Sequence, residues 1–242
     1  MSACSPTVMN QDAAKKAVGD SAAAMAEDGQ RLGLGTGSTT AYAIAALGRR
    51  MREEGLEIIA TPTSSAAERL AREHGIPLCS LDEIDYLDVA FDGADEVNPA
   101  LDLIKGRGGA HTREKVVASL ADQFVVLVDP SKLVSTLGTR MPVPVEVLPM
   151  ATSPVMQTLG RLGARPVLRM GVRKDGPVVS DQGLWIVDAH FDEIDDPGAL
   201  SREILSIPGV LDHGLFIGMA TEVLVGEPDG RVRTLTRSIA SP

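Results

Sequence analysis

From Arg31 to Val128 short apolar runs alternate with longer Ala- and Leu-rich segments, and this alternation limits the fold more than any other feature of the chain. Arg31–Leu34, Leu56–Ala60, Leu87–Phe91 and Phe124–Val128 read as strands, with Ile76–Cys79 a further short one. Between them Gln11–Glu27, Ser38–Leu47, Ser64–His74 and Thr112–Asp122 read as helices. The second opens on a candidate Ser cap and the third stops at Gly75. Strand-then-helix spacing predicts right-handed crossovers and a parallel sheet. Aromatic residues are only 3% of the 242. The core therefore has to be built from Ala, Val, Leu and Ile, which suit helices packed over such a sheet.

The pattern changes after about Leu137. Met141-Pro-Val-Pro-Val-Glu-Val-Leu-Pro149 holds three prolines, each without a ladder donor, so it is expected to be a link or an edge rather than a central strand throughout. A helix (Thr152–Leu162), strands near Arg165–Arg169 and Leu184–Asp188, and a helix near Gly198–Leu205 follow, an α+β module. Ile207-Pro-Gly209 punctuates before the apolar strands Gly214–Ile217 and Thr221–Val225.

Charge and cysteine usage narrow the function classes. With 33 acidic and 23 basic side chains the net charge is −10, which argues against a nucleic-acid partner. The balance of 44% hydrophobic and 23% charged residues excludes a disordered chain. No run approaches the ~20 apolar residues of a membrane span. Met1-Ser-Ala-Cys-Ser-Pro6 lacks a basic-then-apolar leader pattern, and Cys4 and Cys79 form neither a disulfide framework nor a metal spacing. A reduced, cytoplasmic setting is expected.

Three segments carry candidate chemistry. Gly33-Leu-Gly-Thr-Gly-Ser-Thr-Thr40 is a strand-to-helix turn whose glycines admit a ligand to the backbone and whose helix start offers N–H groups to an anion. Ser38 stands where a dinucleotide fingerprint needs its third glycine, and no lysine in the chain is followed by Ser or Thr as a Walker loop requires. The hydroxyls of Thr36, Ser38 and Thr39 suit a single phosphate or a sugar; the plain alternative is a turn shaped by packing. Phe91-Asp-Gly-Ala-Asp-Glu-Val-Asn-Pro99 follows a strand, which places Asp92 and Asp95 where open α/β sheets bind ligands. They would hold sugar hydroxyls or shuttle protons, or else simply form a turn. Carboxylates alone could hold Mg²⁺, but no histidine with ligand spacing lies nearby.

In the third segment, Ile104-Lys-Gly-Arg-Gly-Gly-Ala-His-Thr-Arg-Glu-Lys115, Lys105 opens a Gly-rich loop and Glu114 falls in the first turn of the next helix. Glu114 could merely complement the helix dipole, with Arg113 and Lys115 on a solvated face and His111 a loop or cap residue. Yet of six lysines, Lys105, Lys115 and Lys132 cluster around this loop and the Asp129-Pro-Ser-Lys132 turn. An acidic chain needs such a local positive site to hold a phosphorylated substrate, because distant charges are screened.

Taken together, Gly35-Thr-Gly-Ser-Thr39, Asp92-Gly-Ala-Asp-Glu96, Lys105-Gly-Arg-Gly108 and Thr112-Arg-Glu-Lys115 resemble the signature segments of ribose-5-phosphate isomerase type A, in the same order and spacing. The resemblance continues through Asp129-Pro-Ser-Lys132 and Pro142-Val-Pro-Val-Glu-Val147 to Gly214-Leu-Phe216 and covers about Gln11 to Leu235. It implies interconversion of ribose 5-phosphate and ribulose 5-phosphate through an enediolate, without metal or nucleotide cofactor. By the same resemblance Glu114 is the base between C2 and C1, and Asp92, Asp95 and Lys105 bind the sugar, help open its ring and shift hydroxyl protons. Thr36, Gly37, Ser38 and Thr39, then Gly93 and Ala94, then Gly106, Arg107, Gly108 and Lys132 line the substrate site, and Lys15 matches a helix lysine near the phosphate. The implied fold is α/β: a Rossmann-like parallel-sheet domain, 1–138 plus 209–242, with an inserted ferredoxin-like α+β domain over 139–208. A homodimer or a tetramer of dimers is implied too, with no membrane or nucleic acid.

Two residues depart from the family pattern: Arg107, where a shorter side chain is common, and His111, where an apolar one is. Other readings stay open on a similar fold. They are an amino-sugar phosphate isomerase, a sugar-sensing domain (for which 242 residues leave no room for a DNA-binding partner), and a CoA transferase with a glutamate nucleophile.

Overall fold

The structure, a computed structural model, describes residues 6–172 and 175–237. Cys4 lies outside them. In chain order the elements begin with α1 (Pro6–Ala24), β1 (Arg31–Leu34), α2 (Ser38–Glu54), β2 (Ile59–Pro62), α3 (Ser65–Glu73) and β3 (Leu87–Gly93). The two-residue strands β4 (Glu96–Val97) and β5 (Leu103–Ile104) precede α4 (His111–Leu120) and β6 (Ala121–Val128). Then come β7 (Val143–Val147), α5 (Thr152–Arg161), β8 (Arg165–Leu168), β9 (Trp185–His190), α6 (Pro197–Leu205) and β10 (Val210–His213). The chain ends with β11 (Leu215–Phe216), β12 (Glu222–Gly226) and β13 (Val232–Thr236). These residues fall into two compact units, divided at 93/94, 115/116, 133/134 and 218/219.

The first unit holds a six-stranded sheet in the order β13-β12-β6-β3-β1-β2, parallel except for β13 at its edge. Its core joins Val18, Leu32, Leu34, Ile44, Leu47, Phe91 and Leu127, aliphatic apart from one ring. The chain leaves β1 for β2 on one side and reaches β3 on the other, so β1 and β3 flank a switch in strand order. Ligands of such sheets bind beyond the carboxyl ends of the strands at that switch. There Leu34 pairs with Phe91, which sets Gly35 and Asp92 side by side.

The second unit holds an antiparallel sheet in the order β10-β7-β9-β8 with α5 and α6, the βαββαβ arrangement of a ferredoxin-like domain. Val145, Val147, Val155, Leu159, Val187 and Ile204 form its core. A second small sheet, β11-β5-β4, belongs to the same unit. The α/β parallel-sheet domain with a separate α+β domain is thus present. The antiparallel sheet continues past 208, since the Ile207-Pro-Gly209 turn feeds β10, which pairs with β7.

One expectation is corrected. The proline-rich stretch supplies β7, an inner strand bonded on both sides. Pro142 and Pro149 lie outside it. Pro144 turns its carbonyl toward the Gly214 N–H, just past the last β10 pair at Val145–His213. In an antiparallel ladder N–H and C=O of one residue face the same side, so the missing donor costs β9 nothing.

Candidate active site

In the first unit the turn after β1 meets the end of β3. Asp92 is buried, and its Oδ1 accepts the Thr36 N–H at 3.0 Å and the Gly93 N–H at 2.7 Å. Gly35 makes this possible, because a Cβ there would stand 2.2 Å from the Asp92 carboxylate. The Thr36 hydroxyl turns inward, donating to Ser64 Oγ at 2.6 Å and lying 3.0 Å from Thr63 Oγ1. Those bonds tie the turn to the end of β2 and the start of α3. Gly37 and Ser38 are exposed and Thr39 half-buried, at the start of α2. Among the described residues the Ser38 and Thr39 side chains make no hydrogen bond. Lys132 ends a short turn capped by Asp129, whose Oδ1 accepts the Ser131 N–H at 2.8 Å. Lys15 is half-buried on α1, and among the described residues neither lysine is hydrogen-bonded or ion-paired to the Thr36–Thr39 turn.

The second unit brings the other predicted residues together. Lys105 Nζ stands 3.2 Å from Glu114 Oε2, and the two side chains are only 3% and 6% exposed. Lys105 follows β5, and its N–H donates to Gly214 O at 2.9 Å. Its ammonium lies 5.4 Å from the centre of the Phe216 ring, a cation–π contact. Glu114 sits in the first turn of α4, where the helix dipole favours a negative charge. That turn is pinned from outside: Thr112 donates its hydroxyl to Glu146, a buried carboxylate that also takes the Ser180 hydroxyl. Asp95 is half-buried and accepts the Arg107 N–H at 3.0 Å. Gly106 is in the left-handed region (φ +101°), and a Cβ there would strike the His111 ring at 2.8 Å, so this glycine is required twice over.

Lys115 lies at the same Phe216 ring as Lys105, its ammonium 5.1 Å from the ring centre, but it is ion-paired. Its Nζ donates to Asp212 Oδ1 and to His213 O, both at 2.6 Å, so its charge is spent within the protein. His111 is the first residue of α4 and fully buried; burial, then the Lys115 and Arg169 charges, pushes its imidazole down to about 3. His213 is buried likewise, with its imidazole pushed down to about 3 by burial and by Lys115. Its Nδ1 accepts the Leu215 N–H at 3.1 Å, so Nε2 carries the proton toward Ser201 O at 3.0 Å and the ring is neutral. Among the described residues no group of three His, Cys, Asp or Glu side chains could hold a metal ion. No described helix is long and apolar enough to cross a membrane.

Sequence reasoning passed over two residues here. Glu96 is fully buried and accepts the N–H groups of Gly138, Arg140 and Met141, tying the segment before β7 to β4. Arg169 donates to the carbonyls of Gly106 and Arg107. Both partners lie more than forty residues from the side chain that grips them, a separation at which no local pattern signals a bond.

The family described as ribose 5-phosphate isomerase A (phosphoriboisomerase A) matches residues 59–230. Ribose-5-phosphate isomerase A of Thermosynechococcus vestitus is 55% identical over 223 residues, 90% of this chain and 94% of that one. The Haloarcula marismortui protein of the same name is 52% identical over 227 residues, 93% and 97% of the two chains. Among solved structures, ribose 5-phosphate isomerase A of Methanocaldococcus jannaschii superposes with a TM-score of 0.89 at 49% identity, covering 92% of this chain and 98% of its own. A D-ribose-5-phosphate isomerase in complex with phospho-erythronic acid gives a TM-score of 0.92 at 48% identity, covering 94% and 99%.

Proposed function

The chain belongs to the ribose 5-phosphate isomerase A family, and from that premise we propose that it interconverts D-ribose 5-phosphate and D-ribulose 5-phosphate through an enediolate, within the non-oxidative pentose phosphate pathway. The observation that carries this reading is the buried Lys105–Glu114 pair at the start of α4. A carboxylate beside an ammonium and at a helix N-terminus is held in its ionised form, as a base must be.

On the open-chain aldose Glu114 takes the proton from C2, and the electron pair moves toward the C1 carbonyl. Negative charge develops on the oxygens at C1 and C2. Lys105 stabilises that charge more than it stabilises the neutral sugar, which lowers the barrier. Glu114 then returns the proton to C1, while the C2 hydroxyl proton passes to the C1 oxygen, so that C2 becomes the ketone and C1 carries a hydroxyl. Nothing is oxidised or consumed overall. Asp92 and Asp95 hold sugar hydroxyls and exchange protons with them during ring opening. The hydroxyls of Ser38 and Thr39, the N–H groups at the start of α2, and Lys15 and Lys132 favour the phosphate. Gly37, Gly93, Ala94, Gly106, Arg107 and Gly108 line the rest of the substrate.

A solved relative binds phospho-erythronic acid. A phosphorylated polyhydroxy acid offers a phosphate at one position and a planar anion at another, as the enediolate would. Family membership also supports a cytoplasmic homodimer or tetramer of dimers that works without metal or nucleotide. In the same reading 1–138 plus 209–242, apart from β10, form the catalytic domain, and 139–208 together with β10 form the insertion.

The direct test is an assay on ribose 5-phosphate beside glucosamine 6-phosphate, with and without EDTA. Turnover of the pentose phosphate alone, unaffected by EDTA, is expected. Turnover of only the amino sugar would overturn the assignment. A loss under EDTA restored by Mg²⁺ or Zn²⁺ would make Asp92 and Asp95 metal ligands instead.

A further inference from the structure

The loop that carries Lys105 is held by a side chain more than sixty residues further along the chain. Arg169 follows β8, and its own backbone is fixed on both sides: its N–H donates to Ile186 O and its carbonyl accepts the Val178 N–H, both at 2.8 Å. Its Nη1 donates to the carbonyls of Gly106 at 3.1 Å and Arg107 at 3.0 Å. The remainder of the guanidinium is clasped by Asp188 on β9, Nε to Oδ2 at 2.8 Å and Nη2 to Oδ1. Both side chains are 16% exposed, so the pair is well shielded.

The consequences reach both groups assigned to chemistry. Gly106 O also accepts the Gly109 N–H at 3.0 Å, so the guanidinium closes the turn that directly follows Lys105. The Arg107 peptide is gripped at both ends, its carbonyl by Arg169 and its N–H by Asp95 Oδ2. That bond occupies one oxygen of Asp95 and leaves Oδ1 without a protein partner among the described residues. Asp95, Arg107, Arg169 and Asp188 line one small cleft together with Met141, Pro142 and Pro144. A fork with four directed donors fits two adjacent carbonyls and a bidentate carboxylate at once, which a lysine ammonium cannot do.

We infer that Arg169, held by Asp188, is a positioning residue for the isomerisation. It fixes the loop that aims Lys105 at the developing oxyanion and Asp95 at the sugar. This rests on the roles proposed above for Lys105 and Asp95. Because the reacting centre tolerates little displacement, losing the clamp acts on the chemical step more than on binding. A misplacement of about 1 Å can cost about 10²-fold.

The experiment compares Arg169→Lys, Arg169→Ala and Asp188→Asn in the full chain, by ribose 5-phosphate kinetics and by hydrogen exchange of residues 105–110. Arg169→Ala is expected to lower kcat by about 10²-fold and Arg169→Lys by about 10-fold, with KM within about threefold of native. Ethylguanidinium, which can enter the cleft, is expected to restore at least part of the Arg169→Ala activity. Exchange across 105–110 should accelerate while β9 stays protected. An unchanged kcat in Arg169→Ala refutes the inference. So does a loss that ethylguanidinium does not reverse and that comes with faster exchange throughout β7 and β9, since that pattern is general unfolding. If the native chain fails to turn over ribose 5-phosphate, the proposed function falls, and loop exchange alone then decides whether Arg169 positions the loop.

Discussion

The turn after β1 and the loop before α4 are both Gly-rich and both lead into a helix, yet they are built for opposite tasks. The first keeps Gly37 and Ser38 exposed at the helix start, and the Ser38 and Thr39 hydroxyls make no hydrogen bond among the described residues. Beside it the buried Asp92 carboxylate accepts backbone N–H groups. The second encloses an ammonium and a carboxylate 3.2 Å apart in a unit that also buries Glu146, His111 and His213 and half-buries the Lys115–Asp212 pair. An exposed donor set can bind an anion without raising its energy. A buried ion pair is costly to assemble and is worth keeping where charge must develop. On the proposed function, recognition falls to the first segment and proton transfer to the second.

The largest expected effect falls on the buried side of this contrast. Glu114→Gln keeps size and hydrogen bonding but cannot accept a proton, so kcat should fall by about 10²–10⁴-fold. Affinity for ribose 5-phosphate by calorimetry should change far less. Near-native turnover would leave Glu114 only its dipole role, which predicts no more than a stability loss of about 0.3–1 kcal/mol. Lys105→Ala comes next, with kcat lower by about 10²-fold. A raised KM with kcat intact would make Lys105 a binding group and erase the division of labour.

Acid should expose the same contrast. His111 and His213 have imidazoles pushed down to about 3, below the free value near 6.5. Between those values the unfolded chain takes up protons that the folded chain refuses. Their stabilising contribution is therefore complete above about pH 6.5 and is lost as the pH falls toward 3, by about 2 kcal/mol per histidine at pH 5. Melting temperature should drop between pH 7.5 and pH 5, with exchange rising first in the second unit; His74, in the first unit, is only half-buried. A flat melting temperature would mean that these rings are not held neutral. The smallest effect belongs to the exposed turn. Ser38→Ala removes one hydroxyl and should raise KM by about 10-fold or less while kcat holds. A fall in kcat at constant KM would move this turn into the chemistry.

Legibility in the sequence follows how local each signal is. Arg31–Leu34 was readable as a strand because four residues run into the turn glycines. α3 was readable because Ser64 caps it, accepting the Ala67 N–H, and a glycine follows its end. Lys105 and Glu114 stand nine residues apart in one motif, so their link was within reach. β7 was misjudged because whether a proline harms a strand depends on which neighbour its nitrogen faces, a fact of register. β13, Val232-Arg-Thr-Leu-Thr236, has a mostly exposed edge-strand pattern with few apolar residues to announce it. Lys115 looked like one more free cation because its partner Asp212 lies far along the chain. The Arg169 clamp escaped for the same reason.

The most direct measurement follows label from C2. Ribose 5-phosphate deuterated at C2, turned over in ordinary water and analysed by NMR at early conversion, reports how hydrogen travels to C1. If Glu114 carries it as a proton, the carboxyl exchanges with water during the enediolate's lifetime, and a substantial fraction of the ribulose 5-phosphate loses its label to solvent. Complete retention of deuterium at C1 would contradict a carboxyl that exchanges with water during the enediolate's lifetime, and retention with near-native turnover in Glu114→Gln would mean a direct hydride shift with no role for that base.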